Sequence, residues 1–294
     1  MATLSVVIVS YNVADLLRDC LASVCASRGV DIEVWVVDNC SSDDSAGMVQ
    51  RQFPGVRLVE STCNGGYAYA NNLALLQATG DYLLLLNPDT VVPPDALAEM
   101  VAYLEARPDV GVAGPKLVRD DGSLDLACRR SFPSPVVSFY RMTGLSKRFP
   151  SSRRFGRYNL TYLDPDQETD VDSVVGAFML VRRKAVEQVG LLDETFFLYG
   201  EDLDWAMRIK KGGWRVMYNP QVTVLHRKGS SSSGDIYRAT MEFYRSMLIF
   251  YRKHYAPHNL PPVNWLILGA IYLRCGLAFL LNRMLPPELR RVNY

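Results

Sequence analysis

The sequence has almost no net charge: 32 Lys and Arg offset 31 Asp and Glu, leaving +1. Without a field of one sign, no nucleic-acid partner is expected. The six cysteines (Cys20, Cys25, Cys40, Cys63, Cys128, Cys275) include no C-x-x-C pair. Such wide spacing argues against a zinc site and a disulfide-stapled scaffold, and fits a reducing cytosol. No basic segment and short apolar run precede the first strand signal, so no signal peptide is expected. No internal repeat is visible. No G-x-G-x-x-G follows the first strand, which disfavours dehydrogenase chemistry. What remains is 294 residues, 49% apolar and 21% charged. That composition excludes disorder, collagen and coiled coil, and the length suits one large α/β domain or two small ones.

Residues 4–9 form a nearly continuous apolar run rich in β-branched side chains, the pattern of a strand buried on both faces. Asn12 offers an N-cap, and Val13, Leu16, Leu17, Cys20, Leu21 and Val24 then recur at helical spacing. Further strands are predicted at 32–37, 56–59 and 82–86, with helices over 67–77 and from about Pro94. Strand and helix alternating through short links predict a parallel sheet covered on both faces. Ligands of such sheets bind at the carboxyl ends of the strands. Those ends carry Ser10-Tyr11-Asn12, Asp38-Asn39 and Asn87-Pro88-Asp89.

Between Arg141 and Arg157 lie six basic residues and no acid, read as a mobile basic loop. Strands are predicted at 174–181, 214–218 and 222–225, and a helix over 201–211. Beyond the serine run Ser230–Ser233 and Gly234, Asp235 is placed as the cap of an aromatic-rich helix. These shifts divide the chain into 1–228 and a C-terminal helical extension, 229–294, either membrane-associated or dimerising. Residues 263–281 are long enough for a membrane span, but Arg274 lies within them. Spanning, interfacial and core or dimer helices all fit. The interfacial one is favoured, because long Arg side chains snorkel to headgroups.

Several residues at the strand ends suit chemistry. Asp38 can accept a hydrogen bond from a base or a ribose hydroxyl, or can simply cap the next helix. The segment 64–72, with Asn64, Gly65, Gly66 and Asn72, lets backbone approach a ligand where a helix begins, or is a tightly packed loop. Asp89 follows four leucines and is placed to bind a divalent metal with a pyrophosphate; a plain turn is the alternative. Glu201, Asp202 and Asp204 put three acids into one helix start, more than capping needs, and one could take a proton from an alcohol. His226 also ends an apolar strand. Tyr11 and Trp205 could pack on base or acceptor, or in the core.

Read in order, these motifs resemble the inverting glycosyltransferases of family 2, over roughly residues 4–228. The resemblance implies the GT-A fold, a Rossmann-like nucleotide-sugar-binding α/β fold with a mostly parallel central sheet. Ser10-Tyr11-Asn12 looks like the family's opening element, and Val37-Asp38-Asn39 with Ser42 and Asp43 like its nucleobase-binding element. Asn64 to Asn72 is similar to its N-x-G-(F/Y)-(A/G)-x-(A/G)-x-N element. Asn87-Pro88-Asp89 takes the place of D-x-D, and Gly200-Glu201-Asp202 that of the acceptor-side E-D. Gly176-Ala177-Phe178 resembles the acceptor-side strand.

The resemblance implies that Ser10, Tyr11, Asn12, Asp38, Asn64, Gly65, Asn72, Asn87 and Asp89 bind a UDP or dTDP sugar. Gly176, Ala177, Glu201 and Trp205 would meet the acceptor, and Asp202 would be the general base. Asp89, with His226 nearby, would hold Mg2+ or Mn2+. Because Asn87 replaces the first Asp of D-x-D, metal binding rests on Asp89. N-P-D resembles the version in rhamnosyltransferase-like members, which act on lipid-linked glycans. Q-x-x-R-W, the mark of processive synthases, is absent, so single-sugar transfer is expected.

The implied reaction moves one sugar, dTDP-rhamnose or a UDP-sugar being the donor, to a glycan or polyprenyl-diphosphate-linked acceptor in cell-envelope synthesis. The implied location is cytoplasmic, peripheral on the inner membrane surface, with a homodimer as a further reading of the extension. A non-catalytic nucleotide-sugar-binding scaffold is the alternative. A nucleotidyltransferase would need a glycine-rich triphosphate loop near the first strand, and none is present.

Overall fold

A computed structural model describes residues 2–227, 236–286 and 289–292. Lys228, the serine run, Gly234, the expected cap Asp235 and the expected boundary at 228/229 lie outside the described residues. The amino-terminal half alternates β1 (Thr3–Ser10), α1 (Ala14–Cys25), β2 (Asp31–Asp38), α2 (Ser45–Gln52), β3 (Arg57–Glu60), α3 (Tyr67–Leu75) and β4 (Tyr82–Leu86). After β5 (Thr90–Val91) come α4 (Ala96–Glu105) and β6 (Val110–Val118). Next are α5 (Pro135–Met142), α6 (Leu145–Arg148), β7 (Thr169–Asp170), β8 (Phe178–Arg182) and α7 (Arg183–Val189). Then follow α8 (Glu201–Lys211), β9 (Arg215–His226), α9 (Ile236–His254) and α10 (Pro261–Met284).

Among the described residues the strands form one sheet, ordered β3-β2-β1-β4-β8-β6-β9-β5, with β7 beside β9. The β3-β2-β1-β4 half is parallel throughout. Leu4, Val6, Val7 and Ile8 are fully buried, as expected for an apolar run covered on both faces. On α1, Leu17, Cys20, Leu21 and Val24 face the core. Beyond β4 the sheet is mixed, because β8 enters antiparallel to both β4 and β6. The long excursion 119–177 turns the chain round before it re-enters, a reversal that apolar patterning does not encode.

This topology gathers the site at one edge. Ser10 pairs in register with Asp38, so β1 and β2 end side by side. Leu86, the last residue of β4, lies opposite Phe178, the first of β8, so Asn87 and Ala177 meet. Both β6 and β9 run in the direction of β4, and β9 ends there at His226, opposite Thr90.

Several sequence expectations are corrected. Asn12 does not cap α1: its φ is +55°, and its Oδ1 accepts from the backbone N–H and hydroxyl of Ser42. The Ala14 N–H is taken by Asp43 Oδ2, a cap supplied from the next crossover. Residues 141–157 are not simply a loop, since the end of α5 and all of α6 lie within them. The strand expected at 174–181 starts only at Phe178, because 173–176 folds around Arg130 and Asp202. Those expected at 214–218 and 222–225 are one strand, β9, irregular where its register with β6 shifts. The strand β6 carried no expectation.

The extension packs on the sheet domain. Phe250 of α9 joins Phe196, Leu203 and Met207 in one apolar cluster. Along α9 lies α10: Tyr251 Oη donates to Asn264 Oδ1, Ile271 and Ala278 cluster with Tyr244, and Asn282 Nδ2 donates to Thr240 Oγ1. The opposite face exposes Trp265, Leu266, Tyr272, Leu273, Leu280 and Met284. Only 11% of its apolar window is buried, which removes the core-helix reading.

Candidate active site

The Asp38 loop is held open by its neighbours. Asp38 is buried, and its Oδ2 accepts from the Ser41 N–H at 2.9 Å. Left-handed Asn12 and Cys40, with φ of +55° and +66°, flank this turn. Asn39 bridges to the next element: its Nδ2 donates to Asn64 Oδ1 at 3.0 Å, and its Oδ1 accepts from the Gly65 N–H at 3.2 Å. Gly66 has φ +91°, and a Cβ there would lie 2.4 Å from the Phe197 carbonyl oxygen. Only glycine allows that approach. It lets the Tyr67 N–H donate to Phe197 O at 2.7 Å and so begins α3 against the loop before α8.

Tyr67 joins the two halves of the rim. Its buried hydroxyl lies 3.2 Å from Asn87 Oδ1 and 3.0 Å from Gly176 O. Burial, then the charges of Glu201 and Asp202, raise its pKa, so it remains a donor. The Asn87 N–H donates to Ala177 O at 3.0 Å, and the Gly176 N–H to Asp202 Oδ2 at 2.9 Å. Arg130 Nη2 contacts that same Asp202 oxygen at 2.6 Å, and Asp202 Oδ1 accepts from the Leu203 N–H at 2.7 Å. An unbroken set of contacts therefore runs from Asp38 through Asn39, Asn64, Gly66, Tyr67 and Gly176 to Asp202.

Asp89 and His226 form the third part. His226 Nε2 is 3.3 Å from Asp89 Oδ1, and its Nδ1 is 3.0 Å from Asp125 Oδ2. Burial lowers the His226 pKa, but the hydrogen bonds and charges of Asp125 and Asp89 outweigh it and raise it to about 9. His226 thus stands between two buried carboxylates, with Asp89 on its Nε2 side and Asp125 on its Nδ1 side. Among the described residues no group of three His, Cys, Asp or Glu side chains forms a metal cage.

Three buried acceptors on this rim have no hydrogen-bond partner among the described residues, Ser10 Oγ, Asp38 Oδ1 and Glu201 Oε2, while Asp89 Oδ1 lies against His226 Nε2. Buried polar atoms are ordinarily paired, so their concentration at one edge of the sheet marks a place where a ligand completes them. Glu201 is buried, and desolvation followed by the charge of Asp202 pushes its carboxyl well above the usual range.

Two expected contacts are not placed at the rim. Trp205 is fully buried, with its indole N–H donating to Gly190 O at 2.9 Å, so it packs in the core. Asn72 commits its amide to Leu192 O and Glu194 Oε1 and its Oδ1 to the Leu192 N–H, tying α3 to the chain before α8. Tyr11 is 41% exposed at the rim's edge. Arg130, Asp125, Phe197 and the joining role of Tyr67 were missed. Each acts through a partner distant in sequence, and no local pattern signals it.

The chain matches the family model for glycosyl transferase family 2 over residues 5–190. It is 30% identical over 286 residues to the N-acetylglucosaminyl-diphospho-decaprenol L-rhamnosyltransferase of Mycobacterium tuberculosis, covering 93% of this chain and 92% of that one. Rhamnosyltransferase WbbL of Escherichia coli is 28% identical over 75% of this chain and 82% of its own. Among solved structures, the mannosyltransferase PcManGT from Pyrobaculum calidifontis, in complex with GDP-Man and Mn2+, superposes with a TM-score of 0.59. It has 22% identity and covers 94% of this chain and 71% of that one, a likeness of fold. S. aureus TarS in complex with UDP gives 0.56 at 16% identity, over 92% and 71%. The mixed sheet with strand ends gathered at one rim is the GT-A fold, and the chain belongs to glycosyl transferase family 2.

Proposed function

We propose that this glycosyltransferase moves one sugar, with inversion, from a nucleoside-diphosphate sugar to a hydroxyl of a polyprenyl-diphosphate-linked glycan in cell-envelope synthesis. Rhamnose carried on dTDP is the favoured donor, because two relatives matched over most of both chains are rhamnosyltransferases. The observation that carries the reading is the gathering of buried acids at one rim, with unpartnered oxygens on Asp38 and Glu201 and Asp89 held beside His226. Asp38 Oδ1 accepts from the base or ribose. The backbone of Asn64 to Gly66 lines the approach of the diphosphate, and Gly176 and Ala177 border the acceptor.

The buried Asp89 Oδ1, 3.3 Å from His226 Nε2, could supply one ligand to a divalent cation, with phosphate oxygens and water as the others. Such a cation, Mg2+ or Mn2+, would neutralise charge on the leaving diphosphate. His226 lies beside Asp89 and is oriented by Asp125. Asp202 takes the proton of the acceptor hydroxyl. The alcohol oxygen bonds to the anomeric carbon as the carbon–oxygen bond to the diphosphate breaks, and that electron pair leaves with the nucleotide. Glu201 meets the acceptor.

The acceptor's lipid is reached from the cytoplasmic membrane surface. Because α10 is tied along its length to α9, which carries Arg238, Glu242, Arg245, Arg252 and Lys253, it does not cross a bilayer alone. It lies in the interface with its apolar face down. Residues 243–287 contain no acid and include Arg245, Arg252, Arg274 and Arg283, which suits anionic headgroups.

General-base assistance is worth about two to four decades of rate. Asp202→Asn should therefore nearly abolish transfer from dTDP-rhamnose to a polyprenyl-diphosphate acceptor while nucleotide binding persists. Normal turnover by that variant would reject Asp202 as the base.

A further inference from the structure

We propose that Arg130 is a positioning residue for Asp202, supplying a buried cation contact that its neighbour Glu201 lacks and fixing where the Asp202 carboxylate points. The inference rests on the assignment of Asp202 as the base and goes beyond it, because no motif marks Arg130. Arg130 is buried, in the chain between the 3-10 turn Leu126–Cys128 and α5. One nitrogen, Nη2, contacts both Asp202 Oδ2 at 2.6 Å and Val174 O at 2.7 Å. Its own backbone N–H donates to Ser173 O at 2.9 Å. The guanidinium is thus fixed at the turn that also carries Gly176, whose N–H meets the same carboxylate oxygen.

The adjacent acids Glu201 and Asp202 share one helix start but not one environment. Asp202 has a buried cation and two N–H donors; Glu201 has a buried oxygen with no partner. A buried carboxylate without compensation holds its proton, whereas one against a guanidinium releases it. The other titratable groups beside Asp202 are Tyr67 on α3 and Glu201, and Tyr158 lies against Arg130 itself. Arg130 is therefore the buried cation set against Asp202, 2.6 Å from its Oδ2.

The test is the pH profile of kcat in Arg130→Met and Arg130→Lys. Losing an opposite charge at this range raises a carboxylate pKa by about one to three pH units. The acid limb of Arg130→Met should move to higher pH by that amount. Its kcat at neutral pH should fall by about 10²-fold, while nucleoside-diphosphate binding, read by calorimetry, persists. Arg130→Lys should return the limb toward wild type but restore kcat only in part, since a lysine ammonium lacks the planar fork. Added to Asp202→Asn, Arg130→Met should leave the residual rate unchanged, as for residues acting as one unit. An unmoved acid limb in folded, nucleotide-binding Arg130→Met overturns the proposal. So does a double variant well below Asp202→Asn. If Arg130→Met does not fold, Arg130→Gln is read by the same limb, and an unmoved limb there overturns it too. Should Asp202→Asn itself retain full turnover, it is the base assignment that fails.

Discussion

Asp204 offers a quantitative test of how α8, and with it Asp202, is held. Its carboxylate is fully buried and meets three nitrogens: Arg208 Nε at 2.8 Å, Lys253 Nζ at 2.8 Å and His254 Nε2 at 2.7 Å. Two of these come from α9, so this acid pins the extension to the helix that starts with Glu201 and Asp202. Desolvation alone would raise its pKa, but hydrogen bonds from His254, Lys253 and Arg208 lower it from 3.8 to about 2. A depressed carboxylate contributes stability that is fully present above its unfolded pKa and is lost as pH falls through the folded one. The window is therefore about pH 5 to 2, and the contribution lost across it is about 2 kcal/mol. The assay is urea unfolding of wild type and Asp204→Asn at several pH values. Wild type should be the more stable at pH 7, and the gap should narrow by about 2 kcal/mol between pH 5 and pH 2. A gap that is constant with pH would refute the reasoning.

Two further outcomes follow from packing. Gly66→Ala forces a side chain into a left-handed backbone position against the Phe197 carbonyl; it should cost about 2 kcal/mol or more in chemical denaturation and lower transfer with it. Leu266→Glu with Leu273→Glu, both on the exposed face of α10, should change stability by less than about 1 kcal/mol yet abolish flotation with anionic vesicles. Unchanged flotation would remove the membrane-surface reading.

Much of the parallel half was legible in the sequence, because a strand buried on both faces must be continuously apolar and its helix must carry a 3.6-residue stripe. Residues 4–9 and Leu17 to Val24 meet both conditions. The strand ends were legible for the same reason: Asp38 and Asp89 are acids placed where apolar runs stop. The antiparallel entry of β8 was not legible, since an apolar five-residue run reads the same in either direction. Nor was the difference between Glu201 and Asp202. Two adjacent acids look alike until Arg130, some seventy positions earlier, is seen to touch only one. Trp205 misled for the converse reason: an aromatic beside a motif looks like a contact, but helical geometry turns it into the core, where Gly190 O takes its N–H. Asn12 looked like a cap, but Asp43 holds the helix start and leaves Asn12 to shape the Asp38 turn.

The central claim is that buried acids at the sheet's rim bind a nucleoside diphosphate while a separate acid performs the transfer. Calorimetric titration of dTDP and UDP, with Mn2+ present, into wild type, Asp38→Ala and Asp202→Asn tests it directly. The account predicts binding by wild type and by Asp202→Asn, and marked weakening in Asp38→Ala, whose buried oxygen would no longer meet the nucleoside. Equal affinity in wild type and Asp38→Ala, or no binding of either nucleotide to the wild-type protein, would contradict it.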